Sequence, residues 1–189
     1  MHYIFNKGQK GKPIFLLLHG TGSDERGLLP LANMLDDSYG VLSKGRFTEF
    51  DGEISGDLED LSTLQVKGIA YVDSIETKNA DRDNHLRSAD FFDVEKFPEI
   101  EFVSKSVTDN TITGDLKIKD EVHEETFEFE HNGVHKHPFT DSYVTGVILR
   151  GTINREKYGL TWNQALEAGG VMVGKDVKIE IGAEFEITE

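Results

Sequence analysis

The sequence predicts a mainly β protein, an antiparallel sandwich or barrel with one short helix between strands and a short N-terminal strand–turn–helix extension. Three observations carry this. From Gly40 onward apolar residues recur at every second position, the period of a strand with one buried face. Turn signals separate these runs at short intervals, as in all-β domains. One stretch, Asn79–Asp93 (NADRDNHLRSADFFD), departs from the alternation and reads as a helix followed by a tight turn.

In chain order, Ile14–Leu18 is a continuous apolar run, the pattern of a strand buried on both faces. His19-Gly20-Thr21-Gly22-Ser23 is a glycine-rich turn, and Ser23 or Asp24 caps a helix whose apolar residues are Leu28, Leu29, Leu31, Ala32 and Leu35. This strand, HGxG turn and helix resemble the opening of an α/β-hydrolase of the carboxylesterase or phospholipase type. The resemblance implies an oxyanion-hole N–H at Thr21. It covers residues 1–38 only. No G-x-S-x-G nucleophile elbow follows, so a working esterase lacks its serine.

Lys44–Ser55 reads as a strand with Phe50, Gly52 and Ile54 on one face. Leu64–Ile75 reads as another, with Val66, Ala70 and Val72 together. In the helix, Asn79 or Asp81 caps the first turn. The i,i+4 pairs Asp81–His85 and Asp83–Arg87 meet on its surface. Phe91 and Phe92 return the chain to a core, and Pro98 keeps the next stretch extended. Ile100 and Phe102 form one alternating set; Ile112, Gly114, Leu116 and Ile118 form a second; Phe127 and Phe129 form a third. Asn132-Gly133 marks a turn. Tyr143–Ile153 is apolar on both faces. The last strand is the clearest: Val177, Ile179, Ile181, Ala183, Phe185 and Ile187 alternate with mostly polar residues. An eight-stranded barrel either fills its interior with side chains or holds one small ligand, and alternation alone leaves both open.

The net charge of −15 excludes the Lys/Arg-rich surfaces that bind nucleic acid or anionic membranes by charge. With no cysteine there is no disulfide, thiolate metal site or cysteine nucleophile. No apolar run approaches a membrane span, and the short run after Lys7, Lys10 and Lys12 ends at His19 without a cleavage site. The expected location is cytoplasmic. Residues 1–38 carry four basic and four acidic side chains, so the whole −15 falls on residues 39–189. That break implies a fusion of two segments of different origin.

Four separated motifs support a second resemblance. Arg82–Asp93 (RDNHLRSADFFD), Gly45-Arg46-Phe47 with Phe50-Asp51-Gly52, Gly151–Asn163 (GTINREKYGLTWN) and Gly169–Ile181 (GGVMVGKDVKIEI) resemble the signatures of the YceI-like family, over Val41–Glu186. The resemblance implies an antiparallel lipocalin-like β-barrel over residues 39–189 that binds a long polyisoprenoid lipid in an apolar tunnel. Family members carry one further strand before the Gly-Arg-Phe region; here the hydrolase-like segment stands in its place. An open barrel exposes two unpaired edges. The apolar run Lys12–Leu18 has the length to fill the gap; a loosely attached N-terminus beside an open barrel and a strand exchanged within a homodimer are the alternatives.

The expected function is non-enzymatic binding of a polyisoprenoid or similar amphiphile, for sequestration or transport, with a packed domain without ligand as the alternative. No cofactor is expected beyond a bound polyisoprenoid or quinone-like lipid. The lipid-lining candidates are Phe50, Ile54, Val72, Phe91, Phe102, Leu116, Phe127, Phe129, Trp162 and Ile179. Arg82, His85, Arg87 and Arg155 are head-group candidates, although pairing of the first three with Asp81, Asp83 and Asp90 explains them equally. His123, His131, His135 and His137 lack a carboxylate or cysteine at ligand spacing and read as solvated loop residues.

Overall fold

A computed structural model describes residues 3–4, 14–18, 43–137, 139, 142–165 and 172–187. Eleven strands form one curled antiparallel sheet: β1 (Tyr3–Ile4), β2 (Ile14–Leu18), β3 (Ser43–Phe47), β4 (Phe50–Asp57), β5 (Asp60–Tyr71), β6 (Ile75–Glu76), β7 (Glu99–Val107), β8 (Thr111–Ile118), β9 (Glu121–Lys136), β10 (Tyr143–Asn154) and β11 (Asp176–Ile187). Their order is β1-β4-β5-β7-β8-β9-β10-β11-β2-β3-β6. A single α-helix, α1 (Ala80–Arg87), and the 3-10 turns Val72–Ser74 and Arg155–Tyr158 complete the described elements.

The sheet curls because its neighbours are hairpin partners that share one apolar face. β7 through β11 alternate inward as their sequences dictate. Ile112, Leu116 and Ile118 on β8, Phe127 and Phe129 on β9, Val147, Leu149 and Ile153 on β10, and Val177 and Phe185 on β11 are all buried. The expected lipocalin-like barrel is the architecture found.

Two long predicted strands are each broken at a shared corner. The run Lys44–Ser55 divides into β3 and β4 at Thr48–Glu49, and Leu64–Ile75 divides into β5, a 3-10 turn and β6. The corner is held by the Thr48 N–H donating to Ser74 O at 3.2 Å and the Tyr71 N–H donating to Glu49 O at 3.0 Å. The Ser74 hydroxyl closes the turn on Tyr71 O at 2.7 Å. Pairing therefore continues around the bend, where a period-two pattern gives no warning of one.

β2 lies antiparallel between the last strand and β3, with Leu16 opposite Ile179 on one side and Gly45 on the other. The apolar run is thus a paired strand of the sheet, joining β11 to β3. β1 pairs with the far end of β4, Tyr3 opposite Gly56 and Ile4 opposite Ser55. N-terminal residues therefore run antiparallel to both ends of the continuous β3–β4 segment. The glycine-rich turn His19–Ser23, Thr21 and the helix expected over Leu28–Leu35 lie outside the described residues. Among the described residues no ladder joins β4 to the C-terminal half of β11.

One predicted turn is a bulge. β9 continues through Asn132-Gly133 to Lys136, with Gly133 at φ +69° and a register shift opposite Thr145 and Val147. A left-handed glycine inserts the extra residue without ending the strand. No helix among the described residues is long and apolar enough to cross a membrane.

Candidate functional site: an apolar cavity inside the curled sheet

The sheet encloses a cavity of about 140 Å3. Its position follows from four inward-facing glycines. Gly114 on β8 lies beneath the Phe102 ring, whose Cζ stands 2.7 Å from where a β-carbon on that glycine would be. Gly151 on β10 lies beneath Phe127 in the same way, Cε1 at 3.0 Å. Gly52 on β4 faces Phe185, Cε1 at 3.2 Å. The fourth, Gly68 on β5, pairs directly with Gly52, and no atom lies within 4 Å of its β-carbon position. Three glycines are covered by rings, two from the adjacent strand and one, Phe185, from across the sheet; the fourth leaves space. Phe102 and Phe127 meet edge to face, centroids 5.6 Å apart, an arrangement aromatic pairs prefer.

Of the lipid-lining candidates, Phe50, Phe102, Leu116, Phe127 and Ile179 line this cavity. Ile54, Val72, Phe91, Phe129 and Trp162 lie outside its walls. Ile54 and Phe129 are buried with Leu64, Val107 and Ile112 in the solid core. Val72 belongs to the 3-10 turn. Phe91 and Trp162 meet the ring of His85 on α1 edge to face, with centroid separations of 5.0 Å and 4.6 Å. Alternation chose the correct face for Ile54 and Phe129, but not the depth at which that face stops being packed. The missed wall residues include Gly52, Gly68, Val147, Leu149 and Phe185, with the charged Asp51, Lys67 and Glu184 bordering the cavity. The signal for the glycines was their placement at inward positions of the alternation.

None of the four head-group candidates lines the cavity. Asn79 caps α1, its side chain accepting from the Arg82 N–H at 3.0 Å. The Arg82 guanidinium donates to the Thr77 hydroxyl and carbonyl, both at 2.8 Å. Arg87 donates to Asp73 O at 2.9 Å and Ile75 O at 2.8 Å, and lies 3.2 Å from the Asp73 carboxylate. His85 pairs with Asp90 at 3.1 Å. The expected pair Asp83–Arg87 is replaced. Asp83 turns under the helix, accepting the Thr77 N–H at 2.8 Å and the Thr77 hydroxyl. Asp81–His85 likewise gives way to His85–Asp90. Docking of α1 on β6 explains both, because burial of Asp83 requires the nearest backbone donor.

Arg155 is 2% exposed and donates to four carbonyls: Gly174 at 2.7 Å, Trp162 at 3.1 Å, Val173 at 3.3 Å, and Leu160. Burial pulls its pKa down from the ordinary value, opposed by Glu156. It ties the segments after β10 and before β11 together. Beside it, Tyr158 is fully buried and donates to Glu125 at 3.0 Å; burial, and then that hydrogen bond, push its pKa up. Among the described residues no group of three His, Asp or Glu side chains is placed to hold a metal. The four histidines sit on or next to β9, His123 hydrogen-bonding Lys157 O at 2.9 Å.

The comparisons agree with this architecture. The model of the YceI-like domain matches residues 38–185. UPF0312 proteins of Staphylococcus aureus, in strains bovine RF122 / ET3-1 and USA300, are 56% identical over 146 residues, covering 77% of this chain and 85% of theirs. The Campylobacter jejuni YceI protein superposes with a TM-score of 0.66 at 25% identity, covering 78% of this chain and 86% of its own. A polyisoprenoid binding domain from Saccharophagus degradans, implicated in plant cell wall breakdown, shares the fold at 11% identity with a TM-score of 0.60, covering 98% of each chain. With matching signatures, fold and close relatives, this chain belongs to the YceI-like domain family.

Proposed function

We propose that this chain binds one polyisoprenoid or similar amphiphilic lipid inside the curled sheet and sequesters or carries it without chemical change. The observation that carries the reading is the apolar cavity held open at Gly68 and walled by Phe102, Phe127 and Phe185. Its inner wall offers hydrocarbon and aromatic surface, which suits a flexible apolar chain. Each CH2 moved from water into it contributes about 0.8 kcal/mol, so a few isoprene units supply affinity without a strong polar contact. That the Saccharophagus degradans neighbour is described as polyisoprenoid-binding supports the choice of lipid class.

The test is native mass spectrometry of the gently purified protein, followed by exposure to polyprenols and quinone-like lipids. The expected result is a one-to-one complex of isoprenoid mass. A protein that is empty as isolated and stays empty after exposure would establish the alternative, a packed domain whose void has no occupant.

A further inference from the structure

We propose that the bound amphiphile lies with its polar end at Thr145 and its tail toward the helix end of the barrel, the Thr145 hydroxyl holding the head. The proposal rests on the lipid-binding reading above and specifies its orientation and polar contact.

Thr145 is fully buried, and its hydroxyl is the one buried side-chain polar atom among the described residues with no hydrogen-bond partner. A buried hydroxyl without a partner carries its desolvation cost uncompensated, and native structures rarely tolerate that without a reason. Its place supplies one. On β10 the inward positions run Thr145, Val147 and Leu149, all buried. Val147 lines the cavity, and so does Phe185, the residue directly opposite Thr145 on β11. The orphan hydroxyl therefore stands one inward step beyond the cavity wall, beside the ring that covers Gly52.

The opening of the sheet agrees with this end. The charged residues that border the cavity are Asp51, Lys67 and Glu184. Glu184 adjoins Phe185. Asp51 adjoins Gly52, whose partner across the ladder is Gly68, next to Lys67. This is also where the ladder between β4 and β11 is missing among the described residues. The sheet opening thus coincides with the orphan hydroxyl.

The opposite end offers a head group nothing. Phe47, Phe92, Ile118 and Val177 line it, and the guanidinium groups beyond it are bound to carbonyls: Arg82 to Thr77, Arg87 to Asp73 and Ile75, and Arg155 to four more. A compact hydroxyl or carbonyl head fits the requirement, since the threonine hydroxyl both donates and accepts.

The experiment compares two probes, geranylgeraniol and the hydrocarbon of the same skeleton without its hydroxyl, on the wild-type protein, Thr145→Val and Thr145→Ser. Valine keeps the shape and removes the hydroxyl; serine keeps the hydroxyl. We expect Thr145→Val to bind the alcohol about five- to tenfold more weakly and the hydrocarbon as before, with Thr145→Ser retaining the alcohol. Thermal melting of each variant establishes that it is folded. Equal affinity of Thr145→Val and wild type for the alcohol overturns the proposal, as does an equal loss for both probes. If wild type takes up neither probe, the lipid-binding reading itself fails and this inference falls with it.

Discussion

The ring of Phe127 occupies the space that a side chain on Gly151 would need, its Cε1 3.0 Å from the β-carbon position. The two residues lie on adjacent strands, and the glycine is what lets the ring lie flat against the sheet. Gly151→Ala therefore pushes a buried ring off its seat into the cavity. Overpacking of this kind costs about 1–3 kcal/mol. Urea denaturation should show a lowered midpoint with an unchanged slope; a midpoint equal to wild type would mean the ring moves aside freely.

Gly68 is the opposite case. Nothing lies within 4 Å of its β-carbon position, and its backbone is outside the left-handed region. Gly68→Leu should fold normally, with stability equal to wild type or raised by about 0.5–1 kcal/mol, because glycine loses more chain entropy than other residues on folding. The added side chain fills the cavity, so lipid uptake should fall by about tenfold or more. Calorimetry and lipid titration on the same preparation separate the two effects. Undiminished uptake with leucine in place would show that the lipid sits elsewhere.

Arg155→Met removes the donors from four carbonyls without touching the cavity wall. Their loss leaves buried acceptors unpaired, at a cost of about 2–4 kcal/mol. Arg155→Lys should recover little, since one ammonium cannot span the planar fork. Both are measured by denaturant midpoints, and a full recovery by lysine would show that charge rather than geometry matters there.

The buried phenol of Tyr158 makes a pH prediction. Its folded-state pKa is raised by burial and by the hydrogen bond to Glu125, so the neutral phenol is favoured in the fold. That contribution is fully present below the unfolded tyrosine value of about 10 and is lost as pH rises above it. Stability of wild type relative to Tyr158→Phe should be constant between pH 7 and 9 and decline beyond about pH 10. A constant difference up to pH 11 would contradict it.

Backbone exchange tests the N-terminal strand. β2 is paired on both sides, to β11 and to β3. The amides of Phe15, Leu16 and Leu17 should exchange with the slow class of β8 and β9 in a monomeric sample. Exchange within seconds across this run would make residues 14–18 an appendage beside the barrel.

The barrel class was legible because each of β7 to β11 carries its own period of two, and the motif Arg82–Asp93 placed the helix. Half of the lining candidates reached the cavity wall for the same reason: Phe102, Leu116 and Phe127 alternate inward wherever the register is right. The rest depended on partners distant in sequence. Whether a glycine is filled or vacant is decided by the strand beside it, so Gly114 and Gly68 look alike until Phe102 and the empty side of β5 are seen. The partners of the arginines were not legible for a related reason. Arg82, Arg87 and Arg155 find carbonyls whose positions are set by turns, and a helix-surface pattern carries no record of those turns.

β2 is synthesised well before one of its two partners, Val177–Glu180. The seam of the ring can therefore be sewn on both sides only when β11 has been translated. Until then the nascent chain holds an apolar run, β2, with its β11-side edge unmatched, the condition under which strands from neighbouring polysomes find one another. A protein assembled this way is more exposed to misjoining while being made than when complete, and its yield in cells should depend on synthesis rate and chaperone supply more steeply than its equilibrium stability implies.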